Sequence, residues 1–205
     1  MLSASLRDSL TDLAEQFYQE LNPDTAMYLS DRGLDQEVVD TFHLGYVGNE
    51  IPGWEWAVGR LAIPYLTPAG VVDIRFRATK GEEPKYLGRT GATPGMFNVN
   101  AFRVDSDVIG ICEGEIDTIT MHGLCGIPAV GIPGVSAWKN YYARAFVDYR
   151  RVILFCDGDK PGLEWGRKIV TQIDAALIVS MPEGQDVNST YLSEGPDGVL
   201  RRAGL

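Results

Sequence analysis

Between residues 108 and 181 short apolar runs alternate with helical stretches, and this alternation narrows the possible architecture more than any other feature of the chain. Val108–Cys112, Ala129–Ile132, Arg151–Cys156 and Ala176–Met181 read as strands. Stretches at about Ile116–His122, Ala137–Asp148 and Leu163–Ile173 read as the helices between them. The run Arg151-Val-Ile-Leu-Phe-Cys156 is apolar at successive positions, so both of its faces must be covered, as in a parallel sheet between helix layers. Strands and helices in regular succession predict a parallel α/β sheet with right-handed crossovers.

The upstream half follows a different pattern. Leu6, Leu10, Leu13, Phe17 and Leu21 recur at helical spacing. Asn22-Pro23 ends that helix and opens a second one, Gly33 closes the second, and Asp35 caps a third. Residues 5–48 are therefore helical, and 49–59, rich in Gly, Pro and Trp, form a packed loop. Leu61–Leu66 and Val71–Arg77 flank Pro68-Ala-Gly70 and predict a hairpin. A Gly/Pro/Thr-rich stretch from Gly88 to Gly95 follows. The whole reads as a smaller α+β N-terminal subdomain over 1–103, with its basic hairpin region at 60–103, preceding a 104–205 subdomain.

Composition excludes several classes. With 45% hydrophobic and 22% charged residues among 205, the chain has enough apolar material for a core, unlike a disordered segment. No apolar run nears the ~18 residues of a membrane span. Asp8, Asp12, Glu15 and Glu20 beside Arg7 are unlike a secretory leader. Three scattered cysteines and two histidines encode neither a disulfide framework nor a zinc site. Together these predict a reduced, cytoplasmic protein with no membrane partner. Cys112 and Cys156 read as buried thiols, Trp54, Trp56, Trp138 and Trp165 as packing anchors, and Tyr141-Tyr142 as a packed pair on a helix. His43 and His122 read as structural residues. The net charge of −10 argues against broad affinity for nucleic acid. It is unevenly spread, however: −9 over 1–59, +4 over 60–103 and −5 over 104–205.

Three of the four strands run into acids: Glu113-Gly-Glu-Ile-Asp117, Asp157-Gly-Asp-Lys-Pro-Gly162 and Glu183-Gly-Gln-Asp-Val-Asn188. In open α/β sheets ligands bind at the carboxyl ends of the strands. Glu113, Asp157, Asp159 and Asp186 should then gather at one edge. Like charges so gathered need a cation or protonation. Hard oxygen donors without His or Cys select Mg²⁺ or Mn²⁺, which bridge carboxylates to phosphates and suit nucleotidyl transfer.

These motifs resemble the Toprim domain shared by DnaG-type primases, topoisomerases and several nucleases. Glu113 stands where that fold has its first-strand glutamate, and Asp157/Asp159 where it has Asp-x-Asp. Asp117, the Asp157–Gly162 element and Gly184-Gln-Asp-Val-Asn188 resemble the primase version. Upstream, Tyr28–Leu34, Phe42–Tyr46, Ile63-Pro64, the Arg75/Arg77 strand and Pro84–Leu87 resemble the opening of the DnaG catalytic core. The likeness spans about residues 10–195. Gln185 stands where a lysine is common, and Asn188 where an acid often sits.

The resemblance implies a Toprim-type parallel sheet flanked by helices and a core that synthesises short RNA primers on single-stranded DNA from ribonucleoside triphosphates with Mg²⁺ or Mn²⁺. Carried over, Glu113, Asp117, Asp157 and Asp159 are the catalytic residues. Glu113, Asp157, Asp159 and Asp186 are the metal ligands. Arg75, Arg77, Lys85, Tyr86 and Lys160 face nucleotide or template. The zinc-binding module and helicase-interacting domain of such primases have no counterpart in these residues, so a separate zinc-binding module or the replicative helicase is the expected partner, as in a split or phage-type system. Two other functions fit the motifs. A Toprim nuclease would cleave nucleic acid without nucleotides, and a non-catalytic nucleic-acid-binding or assembly module would bind without turnover. A Toprim topoisomerase needs a further tyrosine-bearing domain.

Overall fold

The computed structural model describes residues 2–92, 95–134 and 137–205. The chain divides into two compact units, Met1–Pro94 and Gly95–Leu205. Part of the predicted Gly88–Gly95 stretch lies outside the described residues. The division falls earlier than the boundary expected near residue 104. The reason is packing: Phe97 forms a bridge with Gly131, and Ala101 and Phe102 join the core under the parallel sheet.

In the first unit, α1 (Ala4–Gln19), α2 (Pro23–Asp31) and α3 (Gln36–Phe42) form close to where the leucine spacing, Pro23 and Asp35 predict. Ser3, Asn22 and Asp35 each accept a main-chain N–H from the first turn, and Pro23 occupies a position whose N–H would go unused anyway. A four-stranded antiparallel sheet follows, β1 (Gly45–Tyr46), β2 (Leu61–Thr67), β3 (Gly70–Arg77) and β4 (Tyr86–Gly88), paired in that order. The predicted hairpin is β2–β3. Leu10, Ala14 and Phe17 of α1 close one face of this sheet against Ile74 and Phe76. Phe17 meets Phe76 edge-on at 5.9 Å, and Trp54 and Trp56 add their rings to the same side.

In the second unit all four strands are parallel. β5 (Val108–Cys112), β6 (Ala129–Gly131), β7 (Arg151–Cys156) and β8 (Ala176–Ser180) lie in the order β6-β5-β7-β8. β7 explains its own composition. Val152, Leu154 and Cys156 enter one core with Trp165 and Ile169, while Ile153 and Phe155 enter another with Val187 and Val199. α4 (Glu115–Ile119) continues into a single π-helical turn at Thr120–Leu124. α5 (Lys160–Val170) covers the first face and α6 (Val187–Arg202) the second.

Three expectations change. The helical reading of residues 5–48 stops at Phe42: His43 takes a left-handed conformation at φ 53° that ends α3, and Gly45–Tyr46 pair with β2 as a strand. Residues 140–146 form tight 3₁₀ turns instead of a helix over Ala137–Asp148; Lys139 gives the segment no side-chain cap. Tyr141, expected to pack, is 65% exposed, whereas Tyr142 sits edge-on to Trp138. Trp138 and Trp165 are buried, as are all three cysteines. Among the described residues no helix is long and apolar enough to cross a membrane.

Candidate active site

β5 and β7 are neighbours at the centre of the sheet, so the loops that leave their carboxyl ends start side by side. Glu113 follows β5 directly and is half-buried. Its Oε2 is a buried atom without a hydrogen-bond partner. Burial pushes its pKa up to about 6, and the negative charges of Asp159 and Asp117 push the same way. A main-chain hydrogen bond from Asp157 opposes them.

After β7, Asp159 caps α5, its Oδ1 accepting the Gly162 N–H at 2.7 Å. Pro161 in the first turn is the sequence signal for that cap. Asp157 sits at the strand end, half-buried beside Glu113. After β8, Asp186 caps α6 in a reciprocal box. Its Oδ1 accepts the Ser189 N–H at 2.7 Å and the Ser189 hydroxyl at 2.6 Å, while its own N–H donates to Ser189 Oγ at 2.9 Å. The Asp-x-x-Ser spacing carried this signal, which the reading of the acids alone passes over. Asp186 thus brings to the site a carboxylate of which one oxygen already stabilises a helix end.

Main-chain bonds lace the loops together. The Gly158 N–H donates to Gln185 O at 2.8 Å, and the Gly184 N–H donates to Gly158 O at 3.1 Å. This approach is so close that a Cβ on Gly158 would lie 1.7 Å from Pro182 O. The Asn188 N–H donates to Asp117 Oδ1 at 3.1 Å, which ties the third loop to α4. Glu113, Asp117, Asp157, Asp159 and Asp186 therefore belong to one linked group of loops, as the strand ends predict.

The donor set fits a hard divalent cation: carboxylate oxygens, one of them buried and unpartnered, in a cluster whose mutual repulsion already raises Glu113. Among the described residues no group of three or more His, Cys, Asp or Glu side chains is placed so that it could hold a metal ion by itself. Mg²⁺ generally keeps several waters and is bound by one or two carboxylates plus substrate phosphates. Lys160, in the first turn of α5, is exposed, 3.9 Å from Glu164.

The basic strand belongs to the first unit, and its arginines differ. Arg77 is 5% exposed. Its Nε donates to the Tyr28 hydroxyl at 2.6 Å, its Nη1 donates to the Tyr86 hydroxyl, and its guanidinium lies 5.0 Å from the Tyr86 ring centre. These contacts tie Arg77 and Tyr86 to each other inside the unit. Arg75 is half-buried, its guanidinium 4.7 Å from the centre of the same ring, and Lys85 is exposed. Alternation along a strand puts the two arginines on one face, but it carries no information on how deep each lies. Arg77→Ala is expected to cost about 3 kcal/mol, because it strands two tyrosine hydroxyls and removes charge-assisted bonds. Urea denaturation checks this, and a cost below about 1 kcal/mol would show that the tyrosines do not depend on it.

Comparison with known proteins agrees with this geometry. Residues 110–191 match the family described as Toprim-like. The Gene 57 protein of Mycobacterium phage D29 is 42% identical over 149 residues, covering 70% of this chain and 97% of that protein. A DNA primase of Pseudomonas putida is 24% identical over 249 residues, covering 94% of this chain but only 37% of the primase. A DnaG primase catalytic domain solved bound to single-stranded DNA superposes with a TM-score of 0.75 at 18% identity, over 98% of this chain and 77% of that one. This chain belongs to the family of the phage D29 Gene 57 protein, with a Toprim-like module on the fold of the DnaG-type primase catalytic core.

Proposed function

We propose that this chain is the RNA-polymerising core of a primase, which makes short RNA primers on single-stranded DNA from ribonucleoside triphosphates with Mg²⁺ or Mn²⁺. The observation that carries the reading is Glu113. A buried, unpartnered carboxylate oxygen persists at the carboxyl end of a central strand, with Asp117 and Asp159 close enough to raise its pKa. The carboxylate accepts the Asp157 main-chain N–H yet keeps one buried oxygen without a donor, a state that in a native structure calls for an ion, a water or a catalytic role. The DNA bound to a similar DnaG domain and the P. putida primase support the same substrate class.

Asp157, Asp159, Asp186 and Glu113 would hold the cation, which when bound supplies charge neutralisation at the attacking and leaving oxygens. The chain's own residues supply the rest. Glu113 would serve either as a ligand of that cation or as the general base that takes the proton of a ribose 3′-hydroxyl. Asp117 is held by the Asn188 N–H. Lys160, exposed at the start of α5, offers a positive charge to phosphate. Arg75, Lys85 and the edge of Tyr86 offer charge and a ring to template or nucleotide, whereas Arg77 supports them from beneath. A separate zinc-binding module or a replicative helicase completes start-site choice, in the bacterial cytoplasm.

The test is synthesis itself. Single-stranded DNA, labelled ribonucleotides and Mg²⁺ or Mn²⁺ should give short RNA that disappears in Asp157→Asn. Cleaved template without RNA would identify a nuclease instead. Binding without turnover, even with candidate zinc-module and helicase partners added, would identify an assembly module. Arg75→Ala is expected to weaken binding of single-stranded DNA several-fold with little loss of stability, read by fluorescence anisotropy and thermal melting. Unchanged affinity would remove the basic strand from the template path.

A further inference from the structure

Asn188 has no exposed surface, although it lies only two residues beyond Asp186. Its main-chain N–H donates to Asp117 Oδ1 at 3.1 Å, and its side-chain Nδ2 donates to Thr120 Oγ1 at 2.9 Å. The Thr120 hydroxyl donates in turn to Ile116 O at 2.9 Å, within the same turn of α4 that carries Asp117. Thr120 is also fully buried. One residue of the third loop therefore grips α4 twice, on the acid itself and three residues further along.

The chemistry of this pocket asks for an amide. With its proton committed to Ile116 O, the Thr120 oxygen is left to accept, so its partner must donate. The asparagine NH₂ does so. An aspartate of the same shape would face an oxygen with an oxygen and would bury a second negative charge beside Asp117.

We infer that Asn188 and Thr120 are positioning residues of the carboxylate site: their side-chain bond fixes the Asn188 main-chain N–H on Asp117 and so holds the Asp117 carboxylate toward the Glu113 and Asp159 side of the cluster. The inference rests on the reading of that cluster as a divalent-cation site. Residue 188 then acts through Asp117 and is not itself a ligand. Asp117 is not one of the four proposed ligands; held by Asn188 it sets its negative charge beside them, and such outer groups of a metal site are commonly worth ~10–100-fold in metal affinity.

The experiment uses the full chain and Mn²⁺ as probe, with affinity measured by calorimetry and the exchange rate of the Asn188 main-chain amide measured by NMR. Thr120→Val keeps the shape and removes the oxygen, and Thr120→Ser restores the oxygen. Thr120→Val is expected to weaken Mn²⁺ binding about 10-fold or more and to speed exchange of the Asn188 amide in the metal-free protein, while Thr120→Ser keeps wild-type values. Asn188→Asp is expected to weaken Mn²⁺ as well. Tighter Mn²⁺ binding by Asn188→Asp would make residue 188 a direct ligand and overturn the inference. So would a Thr120→Val protein with wild-type Mn²⁺ affinity or wild-type amide exchange. If Asn188→Asp does not fold, the Thr120 pair decides alone. Should the wild type bind Mn²⁺ no better than Glu113→Gln, the cation site falls, and the inference with it. That result differs from one in which only Thr120→Val is silent.

Discussion

Glu113→Gln is expected to end primer synthesis and, in metal-free buffer at pH 8, to make the protein more stable. In the folded chain the Glu113 pKa is raised from 4.5 to about 6, by burial first and then by Asp159 and Asp117. A folded acid with a raised pKa binds its proton more tightly than the unfolded chain does. Its ionisation therefore costs stability as pH rises from about 4.5 through 6, and the cost is complete above that window. The full shift corresponds to about 2 kcal/mol. Solvent screening at a half-buried group reduces this to about 1 kcal/mol. Glutamine carries no such cost, so the melting temperature at pH 8 should rise by about 2–4 °C, with the gain gone by pH 4. Mn²⁺ should then reverse the order. A ligand at 100 times its Kd stabilises by about 2.7 kcal/mol, and the wild type should collect most of that while the variant collects little. An advantage independent of pH would show that the Glu113 carboxyl pKa is not raised in the folded chain, and equal Mn²⁺ stabilisation of both proteins would show that Glu113 does not hold the cation.

The second large effect belongs to a residue with no side chain. Gly158→Ala is expected to destabilise the second unit by about 3–5 kcal/mol and to abolish Mn²⁺ binding. The new Cβ would lie 1.7 Å from Pro182 O and 2.8 Å from Met181 O, both main-chain atoms that cannot swing aside. Relief requires parting the two loops, which costs the bonds from Gly158 to Gln185 and from Gly184 to Gly158. Gly184→Ala is the control. That residue needs a positive φ of 73°, but nothing lies within 4 Å of its Cβ position, so it should cost only about 1–2 kcal/mol. Urea denaturation of the two variants separates the effects. Equal costs would mean that the β7 and β8 loops are free to part.

The parallel sheet was legible because burial leaves a mark on composition. β7 fills cores on both faces, and its residues 152–156 are all apolar or cysteine. The start of α2 and the cap of α3 were legible because Pro23 and Asp35 use local chemistry, and the carboxyl-end acids because strand direction alone places them. α6 was not read from the sequence; it is two helical segments that meet at a kink, with Gly195 at φ 70° just before Pro196. The 140–146 segment was read as a helix from its composition, which does not distinguish four-residue from three-residue turns. Arg77 shows the remaining gap. Its role comes from Tyr28, 49 residues away, and no pattern within a strand announces such a partner. Asn188 looked like a weakened acid, but its amide is explained by Thr120 on another helix.

Because the carboxylate loops meet through peptide groups, their freedom to vary takes an unusual form. Surface loops generally absorb insertions and deletions easily, because little depends on their length. Here the reverse holds between residues 182 and 188. Glu183 contributes no side chain to the lacing and can be exchanged, whereas Gln185 Oε1 accepts the Thr190 hydroxyl at 3.1 Å and Val187 is buried in the core. One residue more or fewer would put the Gln185 carbonyl, the Asp186 cap and the Asn188 amide out of step with Gly158 and Asp117 at once. Descendants of this chain are therefore freer to change a letter of the loop, as at Glu183, than its count.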